Sequence, residues 1–227
     1  MIRETLHLFF PRLCPACGNA LLRKETLICF ACHYRMPRTN YHLQEDNPIA
    51  RIFWGRVPLT GAAAYYFFRK EGRVQRLLHE LKYKGKPEIG REIGRLYGKE
   101  LLNSDTFSSS ELIIPVPLHP AKKVIRGYNQ SDVFGEGLAE AMPGELITDI
   151  LVRRYNSETQ TRKSRFDRWE NVETVFGIAS PDAIRGKRIL LVDDVVTTGA
   201  TLESCAQHLL KAGAISLSIA CIAAPSR

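Results

Sequence analysis

Long hydrophobic runs are missing from this chain of 227 residues. No apolar stretch approaches the roughly 20 residues that a membrane-spanning helix needs, which argues against an integral membrane protein. The opening segment, MIRETLHLFF, is too short for a secretory signal and lacks a small-residue cleavage site. We therefore expect a cytoplasmic location by default.

Acidic residues are also scarce relative to basic ones. Asp and Glu number 24 against 32 Lys and Arg, which gives a formal net charge of +8 and an isoelectric point near 9.3. This balance permits nucleic acid or another polyanion as a partner, but a protein that handles a polyphosphate also needs basic residues. The composition is 44% hydrophobic and 25% charged, as in globular proteins. The length allows one medium α/β domain with a small appendage.

Cysteines are few, and four of the six lie near the amino terminus. Two Cys-x-x-Cys pairs can grip one tetrahedral metal ion from opposite sides, and four thiolates leave no open position. A disulfide framework is the alternative, but it fits poorly with a chain that lacks an export signal. Thioredoxin-like chemistry would need a strand and a helix around each pair. The sequence therefore predicts a structural zinc site whose ligands are Cys14, Cys17, Cys29 and Cys32.

A segment this short needs a metal in place of a core, which predicts a zinc ribbon over about residues 10–40. The polar, proline-terminated run Tyr41–Pro48 is predicted to be a linker. We accordingly divide the chain into residues 1–45, the ribbon with its linker, and residues 46–227, the main domain. His33 is expected to face solvent. The two later cysteines, Cys205 and Cys221, are expected to be small core residues.

The main domain alternates predicted strands and helices, which indicates a doubly wound, mostly parallel α/β sheet. Strands are predicted at residues 59–68, 112–116, 147–153, 172–176, 189–192 and 216–223. Helices are predicted at residues 73–83, 89–102, 131–142 and 202–212.

One short stretch, ILLVDDVVTTGAT at Ile189–Thr201, carries most of the functional information. Its apolar run is typical of a central parallel strand, and the strand is predicted to end at Asp193 and Asp194, where open α/β sheets bind ligands. The small residues that follow can direct backbone N–H groups at an anion, and the next helix adds its positive end. The stretch therefore predicts a sugar-phosphate site, although an ordinary strand–turn–helix junction with capping acids is the alternative.

A second anion site is predicted around residues 112–130. Three prolines in the segment Pro115–Pro120 argue against a regular central strand and predict a rigid extended loop. Lys122, Lys123 and Arg126 follow, and then a helix that Asn129 or Ser131 caps.

Two further segments are rich in basic residues. Residues 69–86 hold seven Lys or Arg against two acids, which indicates either a polyanion patch or a solvated helix face. The patch residues are Arg73, Arg76, Lys82, Lys84 and Lys86. Residues 154–171 are polar and largely unpatterned, which is typical of a functional loop or of disorder.

The stretch Ile189–Thr201 closely resembles the signature of type I phosphoribosyltransferases for phosphoribosyl pyrophosphate (PRPP). The resemblance implies a type I phosphoribosyltransferase-like fold in which the two acids hold the ribose hydroxyls, directly or through Mg²⁺. It implies a PRPP-binding set of Asp193, Asp194, Val195, Val196, Thr197, Thr198, Gly199, Ala200 and Thr201. It also implies a pyrophosphate loop with Pro117, Leu118, His119 and Arg126, and a mobile loop with Gln160, Thr161, Arg165 and Arg168.

The ordered motifs narrow the resemblance further. The four cysteines, KYKG, PVPLHP, RGYNQ, Gln160-Thr161, Arg168 with Asn171-Val172, and the PRPP signature together resemble the ComF family of competence-associated proteins. One departure is Lys163, where that family often has Leu.

The ComF resemblance implies a role in DNA uptake during natural transformation. As an enzyme, the protein would be a phosphoribosyltransferase in which Asp193, Asp194 and Arg126 act on PRPP and Mg²⁺. The alternative is a non-enzymatic factor that binds single-stranded DNA or a competence helicase and keeps the fold as a ligand-responsive scaffold. The sequence leaves the acceptor substrate and the oligomeric state open.

Overall fold

The computed structural model of the protein describes residues 11–153 and 176–226. Its strands are β1 (Gly61–Phe68), β2 (Leu112–Pro115), β3 (Glu145–Leu146), β4 (Leu151–Arg153), β5 (Phe176–Ile178), β6 (Arg188–Val195) and β7 (Ser216–Pro225). Five of them form one sheet in the order β1-β7-β6-β2-β3, and every neighbouring pair in it is parallel. The strands β4 and β5 form a separate antiparallel pair.

Helices cover both faces of the sheet. They are α1 (Phe30–Arg35), α2 (Ala50–Phe53), α3 (Arg73–Tyr83), α4 (Pro87–Leu101), α5 (Asp105–Ser108), α6 (Pro120–Arg126), α7 (Gln130–Ala139), α8 (Pro181–Ile184) and α9 (Ala200–Lys211). This arrangement is the predicted doubly wound parallel sheet. In the part of the chain that the structure describes, no helix has the length and apolar character needed to cross a membrane.

The buried strand β6 supplies side chains to two hydrophobic clusters, one on each face. Leu190 and Val192 point into a cluster with α3, α4 and α7, whereas Ile189 and Leu191 point into a cluster with α2 and α9. Because successive strand residues face opposite sides, a strand covered on both faces must be apolar at every position. This explains the continuous apolar run before the two acids.

Helix α7 packs very closely on α4, and this contact positions one wall of the candidate site. A Cβ atom on Gly137 would lie 1.9 Å from the carbonyl oxygen of Arg91, and one on Gly94 would lie 2.2 Å from that of Phe134. Only glycine allows the two backbones to approach this far. The amino-terminal end of α7, with Asn129 and Ser131, is thereby fixed beside the end of β6.

Several predicted boundaries are wrong. Strand β2 ends at Pro115, one residue before the end of the strand predicted at 112–116, and it lies between β6 and β3, whereas the three prolines argued against a regular central strand. A proline is tolerated there because the N–H of Val116 donates the next ladder bond to the carbonyl oxygen of Val192 at 2.9 Å. Of the strand predicted at 147–153, only residues 151–153 are a strand, β4, while the short strand β3 ends before it at Leu146. The helix α6 begins at Pro120, where the predicted extended loop ends. Of the strand predicted at 172–176, only Phe176 falls in the described range.

The segment predicted to be a linker packs on the sheet. The N–H of Phe67 donates to the carbonyl oxygen of Pro37 at 2.8 Å, and the N–H of Thr39 donates to that of Tyr65 at 3.1 Å, so residues 37–39 cover the edge of β1. The buried amide of Asn47 donates to the carbonyl oxygens of Gln44 at 2.8 Å and Ala62 at 3.0 Å. These bonds of Asn47 fix a segment whose polar composition alone predicted a linker.

Candidate functional site

The candidate sugar-phosphate site begins where β6 reaches the carboxyl edge of the sheet. Strand β6 continues past the two acids to Val195, further than the sequence predicted, because Asp193 and Val195 still pair with β7. A turn through Gly199 then leads directly into α9. The helix presents its unpaired N–H groups and the positive end of its dipole beside the two carboxylates, as an anion site requires.

The turn rests on helix α2. Gly199 has a φ of +77°, and a Cβ atom there would lie 2.7 Å from Cγ2 of Ile52 and 2.9 Å from Cε1 of Phe53. The guanidinium of Arg56 donates to the carbonyl oxygen of Thr198 at 3.3 Å and forms an ion pair with Glu203 in α9. Residues 49–56 therefore pack against the turn and hold it in place. No sequence motif predicted this contact.

The first acid, Asp193, is held by two donors. Its Oδ1 accepts hydrogen bonds from the hydroxyl of Ser131 at 2.9 Å and from the N–H of Asp194 at 2.8 Å. Desolvation in its partly buried position, followed by repulsion from Asp194, raises the pKa of Asp193 to about 7. Raised carboxyl pKa values of this kind cluster at functional sites.

The second acid, Asp194, forms an ion pair with a residue that the sequence placed elsewhere. The ammonium of Lys82, at the end of α3, lies 2.9 Å from each of the two carboxylate oxygens of Asp194. The sequence assigned Lys82 to a basic segment that was either a polyanion patch or a solvated helix face. The structure instead puts it inside the candidate site.

The predicted pyrophosphate loop lies on the neighbouring strand. Pro117, Leu118 and His119 follow β2, and Nδ1 of His119 accepts a hydrogen bond from the N–H of Ala121 at 3.2 Å, which caps α6. Since β2 pairs directly with β6, this loop and the acidic pair share the same edge of the sheet.

Arg126, the last residue of α6, faces the end of α3. Its guanidinium lies 5.4 Å from the centre of the Tyr83 ring and donates to the side chain of Gln130. The hydroxyl of Tyr128 donates to the carbonyl oxygen of Leu81. The end of α3 and the segment after α6 are therefore joined on both sides of Lys82.

The other residues of the predicted basic patch, on α3 and just after it, do not reach the acidic pair. Lys86 forms an ion pair with Glu80 at 2.6 Å, while Arg76 and Lys84 are exposed and Arg73 is half-buried. The predicted mobile-loop residues Gln160, Thr161, Arg165 and Arg168 lie outside the described residues.

A pocket of about 250 Å³ adjoins the turn on the side of β7 and β1. Its walls combine apolar and aromatic side chains with the start of the turn, and the rings of Tyr41 and Phe67 meet edge to face at 5.4 Å between centres. The walls include Tyr41, Ile49, Ile52, Phe67, Val196 and Thr197. No sequence motif predicts this pocket, because its walls come from segments far apart in the chain: the predicted linker, β1 and the turn.

The four early cysteines converge as predicted. Their sulfur atoms all lie within 4.8 Å of one another, and Sγ of Cys17 is 3.7 Å from Sγ of Cys29. Zn–S bonds of about 2.3 Å in a tetrahedron put sulfur atoms about 3.8 Å apart, so the spacing fits zinc. Burial opposes ionisation of Cys14, but backbone N–H donors outweigh it and lower its pKa to about 7. In contrast, burial raises the pKa of Cys32.

Other residues of the predicted ribbon have structural roles. The carboxylate of Glu25 accepts the N–H groups of Leu22 and Phe30, each at 2.7 Å, and so shapes the connection into the second cysteine pair. His33 is half-buried, not fully solvent-facing, and desolvation lowers its pKa. Cys205 and Cys221 are fully buried in the main domain, as predicted.

The chain is similar to known proteins along most of its length. Residues 129–227 match the family model described as phosphoribosyl transferase domain. The chain is 30% identical over 216 residues to DNA utilization protein YhgH of Escherichia coli O157:H7, which covers 92% of this chain and 89% of that protein. It is 31% identical over 219 residues to Competence protein F of Haemophilus influenzae, covering 93% and 90% of the two chains. A solved structure of the allosteric regulatory enzyme of purine biosynthesis aligns at 20% identity with a TM-score of 0.45, over 63% of this chain and 30% of that one.

Proposed function

The chain belongs to the ComF family of competence-associated proteins, and from that premise we propose that it binds PRPP together with Mg²⁺ at the carboxyl edge of β6. The observation that carries the proposal is the juxtaposition of an acidic pair with an anion-binding turn. Asp193 and Asp194 directly precede residues 195–201, which lead into the amino-terminal end of α9. Carboxylates suit ribose hydroxyls, and the turn suits a phosphate.

In this proposal each part of the ligand has a defined place. Residues Thr197–Thr201 surround the 5-phosphate with backbone N–H groups and hydroxyls. The carboxylates of Asp193 and Asp194 hold the 2- and 3-hydroxyls and offer the oxygen donors that Mg²⁺ prefers. Bound Mg²⁺ would neutralise charge on the pyrophosphate group. The pyrophosphate extends toward residues 117–119 and Arg126, on the adjacent strand.

An acceptor for the ribosyl group has a candidate location as well. The pocket beside Val196 and Thr197 is apolar and shares a wall with the phosphate turn. Small-molecule sites are usually concave and mostly apolar in this way. Transfer there would depend on positioning and on stabilising the departing pyrophosphate, for which Arg126 supplies a fixed positive charge.

We assign the cysteine cluster to one structural zinc ion. Its support is the convergence of four sulfur atoms within 4.8 Å of one another, with those of Cys17 and Cys29 3.7 Å apart. Four thiolates fill a tetrahedral ion, so this metal would stabilise the ribbon and would not take part in chemistry.

Calorimetric titration of PRPP with Mg²⁺ tests the binding site. We expect the wild type to bind and the double variant Asp193→Asn/Asp194→Asn to lose binding while its thermal unfolding stays cooperative. Asp46→Asn, which changes an exposed acid paired with Arg51, is the matched charge control and should bind normally. Unchanged affinity in the double variant would contradict the site, and no binding by the folded, zinc-loaded wild type would contradict the function.

A nucleic-acid-binding role is the second candidate, favoured by the exposed cations of α3. Arg76 is exposed and Arg73 is half-buried on α3, and the exposed Lys84 directly follows the helix. The same helix packs near the cysteine cluster. Binding of single-stranded DNA, or of a competence helicase, by this face would link the protein to DNA uptake. Phosphate contacts make such binding fall steeply with salt. Fluorescence anisotropy with a labelled oligonucleotide should show that salt dependence. The variant Arg76→Glu/Lys84→Glu should no longer bind the oligonucleotide.

A further inference from the structure

Lys82 is the one member of the predicted basic patch that reaches the acidic pair. Helix α3 buries Val74, Leu77, Leu78 and Leu81 against the sheet. Lys82 follows Leu81 and extends its ammonium to Asp194, with only 23% of the lysine side chain and 16% of the carboxylate exposed. The patch predicted from sequence therefore does not explain this residue.

Fold stability does not explain the contact well either. Partly desolvated ion pairs gain little net stability, because removing both charges from water offsets their attraction. This pair also occupies the acid that the ligand would use. An ammonium 2.9 Å from both oxygens of Asp194 competes with a ribose hydroxyl or a cation for those oxygens.

The surroundings show where the ammonium can go. On one side the Tyr128 hydroxyl holds the carbonyl oxygen of Leu81, and on the other Arg126 stacks on Tyr83. The main chain of Lys82 is thus held between the acidic pair and helix α6, which ends in Arg126. Its flexible side chain can turn from a carboxylate to a phosphoryl oxygen without any movement of α3.

We propose that Lys82 is an exchangeable counter-ion of the site: it pairs with Asp194 in the free protein and with the pyrophosphate group of the ligand in the complex. The inference rests on the proposed function, since it places the pyrophosphate group between Asp194 and Arg126. Lys82 is then a residue that contacts the ligand, not a surface cation. This exchange also predicts a direct competition between Asp194 and the anion for one ammonium group.

Inorganic pyrophosphate without divalent metal is the probe, because it isolates the anion from Mg²⁺ and ribose. In calorimetric titrations with a chelator present, Lys82→Met should weaken binding about tenfold or more, as expected for the loss of one charge-assisted hydrogen bond. Lys84→Met removes the same charge two residues away at an exposed position and should change affinity less than twofold, roughly as for a screened surface charge. Lys82→Arg keeps the charge and should retain most of the affinity.

A double-mutant cycle tests the competition. Asp194→Asn should strengthen pyrophosphate binding, because it removes a repelling charge and releases Lys82. Much of that gain should disappear in Lys82→Met/Asp194→Asn. If Lys82 had only a structural role, Lys82→Met would lower the melting temperature of the free protein, but the two substitutions would not be coupled in pyrophosphate binding.

The outcomes separate the two claims. Equal effects of Lys82→Met and Lys84→Met, additive effects in the cycle, or no pyrophosphate binding by the wild type would each overturn the role of Lys82. If the cycle shows coupling but the wild type does not bind PRPP with Mg²⁺, the counter-ion role stands and the proposed function fails. If Lys82→Met does not fold, Lys82→Gln replaces it, and the same comparison decides.

Discussion

Replacing Gly199 with alanine should damage the protein in two separable ways. The residue has a φ of +77°, a conformation that costs a side-chain-bearing residue about 1–2 kcal/mol. The added Cβ would also lie within 3 Å of Ile52 and Phe53 in α2. Overpacking of this kind adds about 1–3 kcal/mol. We therefore expect Gly199→Ala to lose about 2–5 kcal/mol of unfolding free energy.

Gly186 provides a matched control. Its φ is +72°, but a Cβ atom there would meet no heavy atom within 4 Å. Gly186→Ala should therefore show the backbone cost alone, about 1–2 kcal/mol. The difference in unfolding free energy between the two variants measures the contact between α2 and the turn at residues 197–199.

Urea unfolding of the zinc-loaded protein is the stability assay, with thermal melting as a second measurement. For a chain of this size, each kcal/mol lowers the melting temperature by about 2–4 °C. In the PRPP titration, Gly199→Ala should also weaken binding, since the turn must move to relieve the clash, whereas Gly186→Ala should bind normally. Equal destabilisation by the two variants would refute the packing of the turn on α2.

Three further changes test other parts of the site. Arg56→Ala removes the support of the turn and should weaken PRPP binding several-fold, whereas Arg51→Ala, which breaks an exposed ion pair on the same segment, should not. The pKa of Asp193 is raised from 3.8 to about 7, so its stabilising contribution is present below about pH 4 and lost as the pH rises through 7. Asp193→Asn should accordingly gain unfolding free energy over the wild type toward about pH 8, and a constant difference in urea unfolding from about pH 4 to 8 would contradict this. Metal analysis should find one zinc per chain, lost in Cys29→Ser and kept in Cys205→Ala; no zinc in the wild type would reject the ribbon assignment.

The features predicted best from sequence are those that depend on neighbours along the chain. Helix α3 begins and ends where its apolar spacing indicates, at Arg73 and Tyr83. Strand β6 and helix α9 are recovered because a buried strand, a glycine turn and an amphipathic helix each have a local pattern. The four cysteine sulfur atoms converge, as the spacing of the two Cys-x-x-Cys pairs predicts for a tetrahedral metal site.

The features missed depend on contacts between distant residues. Lys82 meets Asp194 across 112 positions, and Ser131 meets Asp193 across 62. Lys82 lies in a basic run along the sequence, and the run itself does not indicate which of its cations points inward. Likewise the polar composition of residues 41–48 predicted a linker, because the bonds of Asn47 to the main chain are made only in the folded state.

The missed contacts change how the two halves of the chain relate to each other. Cys14, Cys29 and Cys32 belong to the same hydrophobic cluster as Leu77 and Leu81, the buried face of α3. The same helix carries Lys82 into the acidic pair at its far end. If the cysteine ribbon were a separate module, a change in the ribbon would not affect the sugar-phosphate site. Here the cysteine segment packs on the helix that carries Lys82, so the cysteine cluster and the proposed ligand site share one structural support.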